Sequence, residues 1–111
     1  MSYEQHFAKQ ETVKFEVEGA EFEYKPATAG DENDWLGEYM VPNGNGGYEQ
    51  SFSLLNKCKM RNLVKAPYAE NWSKLNHEQR WELLGKLKPS IFSQIMTKIN
   101  KIDSDEVNVK N

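Results

Sequence analysis

The chain has 111 residues, 38% of them hydrophobic and 12% aromatic, enough for one modest core and too short for a second unit with a core of its own. Its formal charge of −3 is unevenly laid out: residues 1–49 carry 11 Asp/Glu against 3 Lys/Arg, and residues 50–111 carry 6 against 11. This excludes a uniformly basic polyanion binder, the single Cys58 excludes an internal disulfide, and the three tryptophans argue against a disordered chain.

The opening MSYEQHFAKQE has no apolar stretch behind a basic start, so residues 1–11 read as a flexible tail, and an intracellular, cytoplasmic protein is expected. No run approaches the ~18 apolar residues that a membrane span needs, so no membrane partner is expected.

From Thr12 to Lys25 the pattern has period two. Val13, Phe15 and Val17 alternate with Lys14, Glu16 and Glu18, and Phe22 and Tyr24 alternate with Glu21, Glu23 and Lys25. This predicts a β-hairpin closed by Gly19-Ala20, with Glu18 facing Glu21, Val17 facing Phe22, Glu16 facing Glu23 and Phe15 facing Tyr24. One face is then apolar, and the other bears four carboxylates, tolerated at the cost of mutual repulsion or kept for a basic protein partner. They lack the D-x-D-x-D-G spacing of a calcium loop, and no metal is expected.

Pro26 ends the hairpin. Thr28, three residues before Asp31, caps a helix predicted from about Ala29 to Met40, with Asp31, Glu32 and Asp34 near its positive end. The Gly-rich stretch 42–47 reads as a mobile loop, and it matches neither the P-loop nor the dinucleotide fingerprint. From Gln50 to Lys65, Leu54, Leu55, Cys58, Met60, Leu63 and Val64 fit a helix that carries Lys57, Lys59, Arg61 and Lys65, and Ala66-Pro67 stops it.

Asn76, with Gln79 three residues on, caps a helix bearing Trp81, Leu84 and Leu87. Gly85 and Pro89 break it, and a further helix to about Ile102 carries the stripe Ile91, Phe92, Ile95, Met96, Ile99 and Ile102. The two helices form an αα-corner that must bury its faces on the hairpin or on a partner. Residues 103–111 are polar and read as a frayed tail. The expected fold is a single α+β domain over 12–102, a hairpin followed by about four short helices.

Catalysis needs a base near a nucleophile, and the candidate bases are His6, in the expected tail, and His77, at a helix start, neither with a partner in the sequence. No enzyme activity and no cofactor are expected. The run Lys57, Lys59, Arg61, Lys65 holds no acidic residue, which raises a nucleic-acid-associated regulator as the alternative. The acidic half would repel phosphate, so nucleic acid is the less favoured partner, and the same cations suit the acidic half of a second copy.

The stretch F-E-Y-K-P-A-T-A-G-D-E-N-D-W and the run N-H-E-Q-R-W-E-L-L-G-K-L-K-P-S-I-F, in that order after the hairpin, resemble the small tail assembly chaperones and related morphogenesis proteins of long-tailed bacteriophages and proviruses. The matching positions are Pro26, Thr28 and Asp31, then Leu84, Leu87 and Pro89, within a span from Phe22 to Ile102. The glycine-rich loop and the lysine-rich helix depart from the pattern. The resemblance implies a non-enzymatic protein that escorts the tape-measure protein and helps recruit tail-tube subunits. On that reading Phe92, Ile95, Met96 and Ile99 form a helix-binding surface, although the same stripe is a natural core. Self-association is a further expectation.

Overall fold

A computed structural model describes residues 3–8 and 11–107. The fold is α+β, with five strands in two small antiparallel sheets and four α-helices among the described residues. Strands β1 (Val13–Val17) and β2 (Ala20–Tyr24) form the N-terminal hairpin. Helix α1 spans Ala29–Tyr39, β3 Met40–Pro42, β4 Tyr48–Gln50, α2 Phe52–Lys59 and β5 Leu63–Lys65. Helices α3 (His77–Leu84) and α4 (Pro89–Val107) follow.

The hairpin closes one step earlier than the glycine suggested. Val17 pairs with Ala20, and the two loop residues are Glu18 and Gly19, at φ 46° and 87°. Two consecutive positive φ values give a turn whose twist matches that of the strands, and this outweighs the strain of a non-glycine in the left-handed region. The register is therefore Phe15↔Phe22, Glu16↔Glu21 and Lys14↔Glu23, shifted by two from the expected pairing. A shift of two leaves every side chain on its expected face. Inside, Phe15 stacks on Phe22 with ring centroids 5.1 Å apart; outside, one carboxylate pair is opposed, and Glu23 lies across from Lys14.

Helix α1 starts where expected, because Thr28 and Asp31 cap each other reciprocally. The loop expected at 42–47 is the tip of a second hairpin, β3–β4, held by Asn43 Oδ1, which accepts from the backbone N–H of Asn45 at 2.9 Å.

The single helix expected over 50–65 ends at Lys59. A 3₁₀ turn at Met60–Asn62 follows, and Leu63–Lys65 then joins β2 as the third strand, in the order β1-β2-β5. Tertiary pairing overrides helical periodicity here: Leu63 pairs with Tyr24 and is fully buried, and the Lys25 N–H donates to Asn62 O at 2.8 Å. In the N-terminal segment, expected as a tail over 1–11, Glu4–His6 forms one 3₁₀ turn, and positions 1, 2, 9 and 10 lie outside the described residues.

Asn76 and Gln79 form the expected capping box on α3, and Trp81 meets Phe92 edge-on at 5.8 Å across the joint to α4. Helix α4 does not stop at Ile102 but runs to Val107, and residues 108–111 lie outside the described residues. The core joins Val17, Phe22 and Tyr24 of the hairpin to Met60, Leu63, Trp72 and Leu84, and to Ile95, Met96 and Ile99 of α4. Trp35 on α1 and Cys58 on α2 are buried outside that cluster, in the part of the molecule where these two helices pack together.

Candidate interaction surface

The four cations that the sequence placed on one helix are dispersed over α2, the 3₁₀ turn and β5, and each meets a carboxylate of the same chain. Lys57 Nζ lies 2.7 Å from Glu78 Oε1. Lys59 Nζ lies 3.2 Å from Asp103 Oδ2 and donates to Asn100 Oδ1 at 2.8 Å. Arg61 grips Glu38 through both terminal nitrogens, and Lys65 Nζ lies 3.7 Å from Glu23 Oε2. Two of these pairs, Arg61–Glu38 and Lys65–Glu23, join the basic half to the acidic half within one molecule. The charge split that suggested a second copy is thus partly answered internally.

Electrostatics follow from those contacts. The bidentate Arg61 hydrogen bond holds the Glu38 carboxyl below its usual range, and the same contact raises Arg61. The Thr12 hydroxyl, donating at 2.8 Å, lowers Glu23, with Lys65 and Lys14 adding to it. Burial opposes the charged form of Asp31, but the Thr28 N–H and the Asn62 amide outweigh it and leave the group lowered.

The stripe on α4 is core and not a free surface. Ile95 and Ile99 are fully buried and Met96 nearly so, while Phe92 is half-buried against Trp81. Of the hairpin carboxylates, Glu16, Glu18 and Glu21 are exposed and Glu23 is half-buried; Glu18 Oε2 accepts from Gln94 Nε2 at 2.7 Å, which ties the turn to α4. No single surface therefore gathers the twelve residues singled out from the sequence.

Other groups carry less chemistry. Cys58 is buried, and burial pushes its thiol up, away from the reactive thiolate. Burial lowers His77, with Arg61 and Arg80 adding to it. Among the described residues, no three His, Cys, Asp or Glu side chains converge as a metal site requires, and no helix is long and apolar enough to cross a membrane.

No family model, curated protein or solved structure matches the chain.

What the structure adds lies on α1, the β3–β4 hairpin and the start of α2. Residues 26–56 hold five carboxylates, Asp31, Glu32, Asp34, Glu38 and Glu49, and no Lys or Arg. The same segment exposes Leu36 (45%), Tyr48 (68%) and Phe52 (69%). Beside Phe52 a groove of about 500 Å³ runs between α2 and the α3–α4 joint, lined by Ser53, Asn56, Trp81, Leu84, Leu87 and Phe92. The sequence hides this surface, because Trp35, Leu36, Tyr39 and Met40 recur at helical spacing and that spacing reads as core contact. An eleven-residue helix buries a narrow stripe, and here it is Trp35 that turns inward.

Proposed function

We propose that this chain is a non-enzymatic assembly factor that binds other structural proteins, in the manner of the bacteriophage and prophage tail chaperones that its sequence resembles. The observation that carries the reading is the internal pairing of Lys57, Lys59, Arg61 and Lys65. Those cations are engaged by carboxylates of the chain, while an acidic segment without any cation displays Leu36 and Tyr48 to solvent. A phosphate backbone would have to displace four ion pairs to reach the basic segment. A basic protein segment with an apolar face meets an acidic surface that already exposes apolar side chains.

The tape-measure and tail-tube proteins are the partners that the resemblance implies, and the docking face moves from the buried α4 stripe to α1 and β3–β4. The test is co-purification of the chain with the products of its neighbouring tail genes at moderate salt, with nucleic acid followed by absorbance. Capture of a long helical tail protein, weakened by Leu36→Ser with Tyr48→Ser, is the expected result. Failure to capture any of these products, or recovery of nucleic acid that salt strips away, overturns the reading.

A further inference from the structure

We infer that the free edge of β1 pairs with β1 of a second copy of this chain, antiparallel and about a two-fold axis at Phe15, so that their β1-β2-β5 sheets become one continuous sheet. β1 is an end strand of that sheet. Its hairpin has the two-residue loop Glu18-Gly19, and the pair that closes such a loop, Val17 and Ala20, exchanges backbone hydrogen bonds. Bonding then alternates along the strand: Val17, Phe15 and Val13 are tied to β2, and the N–H and C=O groups of Lys14 and Glu16 point away from it. No turn or loop bond among the described residues reaches them. An edge with bare backbone groups is a template for a further strand.

Charge selects both the partner and the register. Lys14 and Glu16 are exposed on the outer face, and no ion pair among the described residues holds either. Antiparallel pairing centred on Phe15 sets Lys14 of each copy opposite Glu16 of the other, which is the self-complementary match that two-fold closure requires. These opposed residues also exchange their outward backbone bonds. The neighbouring registers that hydrogen bonding permits meet like charge, one setting Lys14 against Lys14 and the other Glu16 against Glu16. A lone edge lysine deters strand addition, and the carboxylate beyond Phe15 cancels that deterrent for a copy of the same strand. The pairing relieves a repulsion as well, because Glu16, opposed by Glu21 within the chain, gains a cation on its other side. At the axis the half-buried Phe15, stacked on Phe22, meets Phe15 of the second copy at the closer of the two strand spacings. The other exposed strand, β4, offers no such match, since the same operation about its middle sets Glu49 against itself.

The dimer is a property of the purified chain and uses β1, not α1 or β3–β4, so its failure leaves the assembly-factor reading standing, and the reverse holds as well. Sedimentation equilibrium over a wide concentration range at low salt is the test, on the wild-type chain, Lys14→Glu, Glu16→Lys and an equimolar mixture of the two variants. Both positions are exposed, and circular dichroism spectra that superpose establish that the fold is kept. The expected wild-type species has twice the 12.9 kDa chain mass. Each variant alone makes both charge pairs repulsive, which should raise the dissociation constant roughly tenfold to a hundredfold. The mixture should return to the wild-type affinity, because one variant then presents two carboxylates to the two lysines of the other. A wild-type chain that stays monomeric at every concentration, variants that dimerise as tightly as the wild type, or a mixture no tighter than its components overturns the proposal.

Discussion

The buried hydroxyl of Tyr24 donates to Asp103 Oδ2 at 2.8 Å, joining the end of the first hairpin to the last helix across 79 positions of sequence. Asp103 also accepts from the Ala27 N–H at 3.0 Å and faces Lys59, so a carboxylate only 8% exposed has three partners. Burial, and after it the charge of Asp103, drives the Tyr24 hydroxyl far above its ordinary range, which keeps it a donor at every pH the protein meets.

Removing either end of this contact has unequal consequences. Asp103→Ala leaves Tyr24 and the Ala27 N–H without their acceptor and Lys59 with Asn100 alone, and should destabilise by about 3 kcal/mol. Tyr24→Phe leaves Asp103 two partners and should lose about 1 kcal/mol. Urea unfolding curves measure both, and equal losses would mean that Lys59 and Ala27 contribute nothing.

Polar substitution on the α4 stripe should abolish the fold, not merely a binding activity. Ile99 is fully buried, so Ile99→Ala is expected to lose about 2–5 kcal/mol, and Ile99→Asp should leave no cooperative transition. Near-ultraviolet circular dichroism and thermal melts check this; an Ile99→Asp chain that melts like the wild type would put the stripe on the surface.

The helix starts at Thr28 and Asn76 should each be worth about 1 kcal/mol, read as Thr28→Ala and Asn76→Ala. Both are complete capping boxes, with Asp31 N–H donating to Thr28 Oγ1 at 3.1 Å and Gln79 N–H to Asn76 Oδ1 at 2.8 Å. Thr28→Ala should lose the more, because Asp31 also accepts from Asn62 Nδ2 at 3.2 Å and the box anchors that contact. Denaturant midpoints at neutral pH decide the order.

Stability should fall on acidification. Asp31, Glu23 and Glu38 are all lowered in the folded state, against ordinary values of 3.8, 4.5 and 4.5. The unfolded chain therefore takes up protons first as pH drops. The stabilisation is complete above about pH 5 and drains away as pH falls through the depressed values. Melting temperatures at pH 7, 5, 4 and 3 give the profile, and Glu38→Gln should flatten it while losing at most about 1 kcal/mol at pH 7. A profile flat to pH 3 would contradict the assignment.

Local signals in the sequence were legible where local chemistry decides. The period-two stretch around Val13–Tyr24, the Thr28 and Asn76 caps and the Pro89 helix start all appear in the structure. What failed was what a distant element decides. Leu63–Lys65 is a strand because β2 offers it an edge, and residues 103–107 are helical because Asp103 finds Tyr24, Ala27 and Lys59. A carboxylate at the next position of an apolar stripe reads as the stripe's end until its buried partners are known. The basic run likewise read as one charged face because the backbone break at Met60 and the partners Glu38, Glu78 and Asp103 lie outside its window.

The separation of 79 positions between Tyr24 and Asp103 also sets a clock. A ribosome adding about 5–20 residues per second makes the hairpin about 4–16 seconds before it makes the residue that clasps it. Until Leu63–Lys65 is made the open edge of β2 awaits β5, and until Pro89 is reached Phe15, Val17 and Phe22 have no α4 to cover them. Each newborn chain thus presents an apolar hairpin face before the elements that cover it have been made.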